Sequence, residues 1–209
     1  MSLIVLAGAL ALAAGAAGYV ASRRERRPLA PSPSTDAPEP RPASRAAPQL
    51  ERLPLRLGDV VSAEVEVNGR MAHEERWLRG GVVASEGGEL VGVVYAAPEG
   101  AVLEAVAVFA EPERHILWMS PVEVELGPEP PATLEIGGVL MRRKLRRPVE
   151  LERIGVGAPP CAAEALWVQY EGPAGAAAVI LAQGQRRLAW SGSRLDEGRY
   201  DRMGGGADG

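Results

Sequence analysis

Cysteine, histidine and phenylalanine are almost missing from this chain of 209 residues, which carries one Cys, two His and one Phe. A lone Cys161 allows no internal disulfide, which suits a reducing compartment. His73 and His115 cannot build a zinc centre of ordinary spacing, and neither CxxC nor HExxH occurs. No phosphate loop, GxSxG elbow or dinucleotide fingerprint is present; Gly155-Val156-Gly157 reads as a turn. Cys161 follows Pro159-Pro160 with no histidine nearby, so it reads as a buried or loop thiol and not a nucleophile. Glu150 and Glu152 sit at strand spacing and read as a solvated face, and Asp59 after Gly58 reads as a turn residue. No metal, cofactor or enzymatic activity is therefore expected. Aromatics are only 4%, so valine, leucine and alanine must fill the core.

What the chain does have begins at its N-terminus. Leu3–Val20 is uncharged and is followed by Arg23, Arg24, Arg26 and Arg27. Such a run can just span a hydrocarbon layer as a helix, and the basic flank stays on the cytoplasmic side. Residues 1–22 are thus expected to be a single-pass inner-membrane anchor, with the C-terminal domain cytoplasmic. A secretory signal is the rival reading, but no basic residue precedes the run and arginines follow it directly. No cysteine lies near it for a lipid anchor. Gly8, Ala11, Gly15 and Gly18 form a small-residue face of the kind that lets membrane helices approach, which leaves room for a homo-oligomer. Residues 23–52 read as a basic, then Pro-rich, disordered linker with extended polyproline character; Pro28, Pro31, Pro33, Pro38, Pro40, Pro42 and Pro48 punctuate it. Residues 204–209 read as a disordered tail.

The remainder is expected to be all-β: two tandem repeated small antiparallel units, barrel or sandwich, at 53–126 and 127–203. Val61, Ala63, Val65 and Val67 alternate with polar residues, the period of a half-buried strand, and Asn68-Gly69 is a hairpin signal. Val122 and Val124 alternate with Glu123 and Glu125 in the same way. Further strands are expected at 90–95, 102–109, 116–119, 149–154, 166–170, 177–181 and 187–190, separated by short turns. Tyr95-Ala-Ala-Pro98-Glu-Gly100 recurs as Tyr170-Glu-Gly-Pro173-Ala-Gly175. Each copy is followed by an apolar run, a polar turn and a tryptophan, Trp118 or Trp190. Leu57-Gly58-Asp59-Val60-Val61 likewise resembles Ile136-Gly137-Gly138-Val139-Leu140. Two copies of one plan are expected, with Tyr95 equivalent to Tyr170 and Trp118 to Trp190.

Two groups of residues are candidates for contact. Arg142, Arg143, Lys144, Arg146 and Arg147 put five cations into a part of the chain that is otherwise acidic. They could meet anionic lipid head groups or an acidic partner; charge protection of a strand edge is the structural alternative. Nucleic acid is not expected, because the domain is acidic and the run contains no aromatic residue. Trp77, Trp118, Trp167 and Trp190 are candidate pocket or core aromatics.

Leu57-Gly58-Asp59-Val60-Val61, Trp77, Val93-Val94-Tyr95 and Ile116-Leu117-Trp118, with Tyr170 and Ala189-Trp190-Ser191-Gly192 in the second half, resemble a bacterial family of unknown function. The resemblance covers Leu53 to Met203. It implies tandem, non-enzymatic β units, some encoded beside polyamine-synthesis proteins and small membrane proteins, and supplies no catalytic residues. The expected function is a membrane-tethered interaction or scaffold module, partnered by the membrane and another membrane or cytoplasmic protein. The alternatives are an anionic-lipid sensor using residues 142–147 and a small-molecule-binding protein with its pocket between the repeats.

Overall fold

The computed structural model describes residues 47–204 apart from 68, 69, 100, 101, 111 and 128. After a helical turn, α1 (Ala47–Leu50), twelve strands follow: β1 (Val60–Val67), β2 (Arg70–Trp77), β3 (Gly80–Glu86), β4 (Glu89–Glu99), β5 (Val102–Phe109), β6 (His115–Pro121), β7 (Thr133–Ile136), β8 (Val139–Gly155), β9 (Glu164–Glu171), β10 (Ala176–Gln183), β11 (Arg186–Leu195) and β12 (Tyr200–Met203). Among the described residues no helix is long and apolar enough to cross a membrane. The expected anchor, the linker up to residue 46, Asn68-Gly69 and the tail from 205 lie outside the described residues.

The all-β expectation holds, and eight of the strands close into one barrel. β3-β4-β5-β6 is an antiparallel meander, and β8-β9-β10-β11 is a second. The last strands of the two pair as β6–β11 and the first strands as β3–β8, which closes the ring. Strands 102–109 and 177–181 show little alternation because both their faces are covered, one by the lumen and one by outer layers.

The lumen draws Val82, Ala107, Met119, Val149, Trp167, Val179 and Trp190 from around the ring into one apolar cluster. An eight-stranded barrel is just wide enough for side chains to fill, and here small residues face large ones. A Cβ at Gly92 would lie 2.9 Å from the Trp167 ring, so glycine makes room for the indole. Phe109 meets Trp167 edge to face at 5.8 Å. Register shifts occur between Ala84 and Ser85 and between Arg143 and Leu145, the bulges that let a closed sheet bend.

Each meander carries its own outer cover. A three-stranded sheet, β12-β1-β2, lies over the first. Val61, Ala63 and Val65 of β1 pack there with Val83, Val93, Val106 and Trp118. Residues 122–126 and 134–136 lie over the second, packing Val122, Val124, Leu126, Leu134 and Ile136 with Val168, Tyr170 and Ile180. Both covers are pinned alike: the Tyr95 hydroxyl donates to Leu55 O and the Tyr170 hydroxyl to Pro131 O, each at 2.9 Å. Burial raises the pKa of both phenols; nearby Asp59 adds to the rise at Tyr95.

A buried arginine adds a polar strut. Arg76 on β2 is only 6% exposed. It donates to Ala105 O (2.7 Å), Met119 O (2.8 Å) and Glu104 Oε2 (2.6 Å), and its guanidinium stacks 3.9 Å from the Trp118 ring centre. Desolvation lowers its pKa to about 10, against the pull of Glu104 and Glu74, so it stays charged at neutral pH.

Several expectations need correction. The two halves close into one barrel instead of forming two small β units. Residues 122–126 keep the expected alternation of half-buried Val122 and Val124 with exposed Glu123 and Glu125, but form no ladder strand. The two Gly-containing motifs occupy unlike places: Leu57–Asp59 turns into β1 of the cover, whereas Gly137-Gly138, both with positive φ, close the β7–β8 hairpin. Trp118 and Trp190 are not equivalent. Tyr95 lies across from Val106 and then Trp118, while Tyr170 lies across from Ala178 and then Ser191. A shift of one residue moves a side chain to the other face, so Trp118 points outward and Trp190 into the lumen. Order also begins ahead of residue 53: Gln49 donates to Gly88 O at 3.0 Å and accepts from Leu90 N at 2.7 Å.

Candidate functional site

The barrel mouth gathers the most varied chemistry among the described residues. Phe109 ends β5, His115 opens β6, Glu171 ends β9 and Arg194 lies near the end of β11. Lys144 stands at the β8 bulge, where its side chain escapes the ladder alternation and turns to Glu171. Together with Leu117 these residues line a cavity of about 180 Å³ whose walls come from both meanders. Phe109, Leu117 and Ala177 continue the apolar lumen into its floor.

The polar groups form a chain along the wall. Lys144 Nζ lies 3.0 Å from Glu171 Oε2. His115 Nε2 lies 4.0 Å from Glu171 Oε1 and 3.6 Å from Glu113 Oε2. His115 is 9% exposed, and its Nδ1 is buried without a hydrogen-bond partner. Two residues below Glu171 on the same inward face of β9, Gln169 is buried with its Nε2 equally unpartnered. Arg194 lines the cavity at its exposed rim, and its side chain forms no ion pair or hydrogen bond with the described residues. Buried polar groups ordinarily find partners; His115 Nδ1 and Gln169 Nε2 are exceptions beside the mouth, as Trp167 Nε1, Gln183 Nε2 and Arg187 Nε are elsewhere. No group of histidine, cysteine and carboxylate side chains suited to a metal occurs among the described residues.

The sequence-derived candidates do not converge here. Trp167 and Trp190 fill the lumen, Trp118 lies under the cover, and Trp77 is exposed at 56% with the Arg79 guanidinium 4.9 Å from its ring centre. Trp77 is therefore not a core residue. Trp190 Nε1 donates to Leu103 O at 3.2 Å. Of the basic run, only Lys144 reaches the cavity. Arg143 donates to Pro130 O, Arg146 lies 3.9 Å from Glu129 and Arg147 lies 3.4 Å from Glu86. Arg142 is exposed and faces Glu171 and Thr133 across the ladders. Cys161 is half-buried in the β8–β9 connection, and burial raises its thiol pKa. Asp59 Oδ2 accepts from Arg56 N at 2.7 Å, as a turn residue should.

Sequence reading passes over Glu113, Glu171 and Arg194, and considers His115 only as a zinc ligand, which its spacing excludes. The one signal they carry is a charged or imidazole group where an apolar strand begins or ends. Nothing in linear spacing joins residues 113 and 194; the β6–β11 and β9–β10 ladders do. A scan of protein-family models, a search of curated proteins and a search of solved structures each find no match to the chain.

Proposed function

We propose that this protein is a non-catalytic binding module, held at the cytoplasmic face of the inner membrane by Leu3–Val20, whose barrel receives a small polar molecule at its mouth. The observation that carries the reading is the cavity of about 180 Å³, where Lys144, Glu171, His115 and Arg194 meet an apolar floor of Phe109, Leu117 and Ala177. Eight-stranded barrels have the diameter to hold one small ligand. On this reading the two meanders are copies of one plan, supported by the first-to-first and last-to-last pairing and by the matching Tyr95 and Tyr170 bonds. The cavity is then the expected pocket between the copies. The lipid-sensing alternative is less well supported, because Arg143, Lys144, Arg146 and Arg147 are engaged within the fold.

The test uses the full-length chain in detergent with isotope-labelled histidine. It contains only His73 and His115, and His73 lies on β2 of the cover, bonded to Ser62 Oγ at 2.8 Å. Titration with a library of small polar fragments should shift the His115 ring signal and leave His73 in place. Fragments that move neither ring, or only His73, overturn the reading. Separately, a reporter fused after Gly209 should behave as cytoplasmic, and its export would overturn the orientation.

The scaffold reading is favoured by a different observation. On the outer face of the cover, Met203, Val60 and Trp77 are cross-strand neighbours in one row, with Met203 and Trp77 exposed. Trp77→Ala should then weaken association with a protein partner without altering ligand-induced shifts of His115; an unchanged association would set that reading aside.

A further inference from the structure

The β12-β1-β2 cover has an open flank. β1 pairs with β2 along its whole length, from Val60 opposite Trp77 to Val67 opposite Arg70. On the other side β12 pairs only from Val60 to Ala63, and among the described residues no strand pairs with 64–67 there. The chain enters β12 out of a turn in which Arg199 N donates to Asp196 O at 3.1 Å, so β12 extends no further along β1. Leu78 N donates to Asp59 O at 2.9 Å, which makes these two residues a bonded pair. Backbone groups alternate between the two edges of a strand. Those of 61, 63 and 65 therefore face β2, and the N–H and C=O of Glu64 and Glu66 face the open flank. A groove of about 360 Å³ runs beside them. Ala174 and Gly175 in its lining present nothing larger than a methyl, which leaves room for another backbone.

Charge selects what can fill this flank. The side chains of Glu64 and Glu66 are exposed and form no ion pair or hydrogen bond with the described residues. A second copy of β1, paired antiparallel, would set glutamate opposite glutamate in these bonded positions, and like charges directly opposite are destabilising. Arginine or lysine in those positions is favoured for the same reason. The residue between them would share the inward face of Val65, which is buried, as is Leu195 in the groove lining. Arg194 and Arg199 also line the groove and disfavour a cation there. We propose that the flank receives an extended segment of a partner protein as a fourth strand of the cover, antiparallel to β1. The segment carries arginine or lysine opposite Glu64 and Glu66 and an apolar residue opposite Val65. Main-chain bonds supply affinity in such strand addition, and alternate side chains supply specificity. The proposal needs no ligand in the barrel mouth.

The probes are fluorescein-labelled peptides titrated into the full-length chain in detergent and followed by anisotropy. The parent is Ser-Val-Arg-Val-Arg-amide. A second has glutamate for both arginines, a third is N-methylated at both arginines and a fourth at both valines. The parent should bind and slow amide hydrogen exchange at Glu64 and Glu66. The glutamate peptide should bind roughly tenfold weaker or worse. N-methylation at the arginines removes the N–H groups that face β1 and should weaken binding roughly tenfold or more; at the valines, whose N–H groups face away, it should change little. Glu64→Lys combined with Glu66→Lys should reverse the preference between the arginine and glutamate peptides and keep the thermal unfolding midpoint. Failure of the parent to bind overturns the proposal, as does binding that leaves exchange at Glu64 and Glu66 unchanged. Equal binding of the arginine and glutamate peptides, or an unreversed preference in the double variant, overturns the charge selection. Equal effects of the two N-methylations overturn strand addition.

Discussion

Replacing Arg76 by methionine should loosen the β12-β1-β2 cover from the barrel. The methionine keeps much of the apolar stem but deletes the guanidinium. It leaves the Ala105 and Met119 carbonyls without their donor and Glu104, 18% exposed, without its counter-ion. The Ser120 hydroxyl, 2.7 Å away, would be the partner that Glu104 retains. Removing one member of a buried ion pair costs roughly 3–5 kcal/mol, because the other charge is orphaned. A domain of this kind has about 5–15 kcal/mol in total, so the loss should show plainly in urea unfolding followed by tryptophan fluorescence. Glu104→Gln in the Arg76→Met background removes the orphaned charge and should restore part of the stability, with a coupling of about 0.5–3 kcal/mol in a double-mutant cycle. A cost below about 1 kcal/mol for Arg76→Met, or strict additivity of the two changes, would refute the strut.

Three further outcomes follow from the packing. Trp190→Ala should cost about 3–5 kcal/mol, as for a large side chain deleted from a core, whereas Trp77→Ala should stay within about 0.5 kcal/mol because the ring is exposed; similar losses from both in chemical unfolding would contradict the assignment of faces. Gly92→Ala should destabilise by about 1–3 kcal/mol through overpacking against Trp167, 2.9 Å from the new methyl, and a stabilised variant in thermal unfolding would show that the indole can move aside. In alkali the folded state holds the Tyr95 proton beyond the ordinary phenol pKa of 10.0, while the unfolded state releases it. Stability should therefore be fully present below pH 10 and fall as pH rises past it, and Tyr95→Phe should flatten that fall measurably in unfolding curves taken on both sides of pH 10.

The sequence by itself determined the strand class and much of the strand list, because alternation and turn residues are local properties of the chain. Val61, Ala63 and Val65 against Glu64 and Glu66 fixed which face of β1 is buried. The same alternation at 122–126 fixed a buried face without fixing a ladder partner. The repeated tyrosine motif picked out two residues that make matching bonds to the covers. Tertiary structure alone decided that the halves share one barrel, because closure depends on β3 meeting β8 and β6 meeting β11, pairings between residues far apart in the chain. It also decided the opposite faces of Trp118 and Trp190, since a one-residue offset in register reverses a side chain and leaves no mark in composition. The candidate site belongs wholly to this second category. Glu113, His115, Lys144, Glu171 and Arg194 are unremarkable where they stand in sequence, and they become one site only because the ladders bring strand ends and a bulge to the same rim.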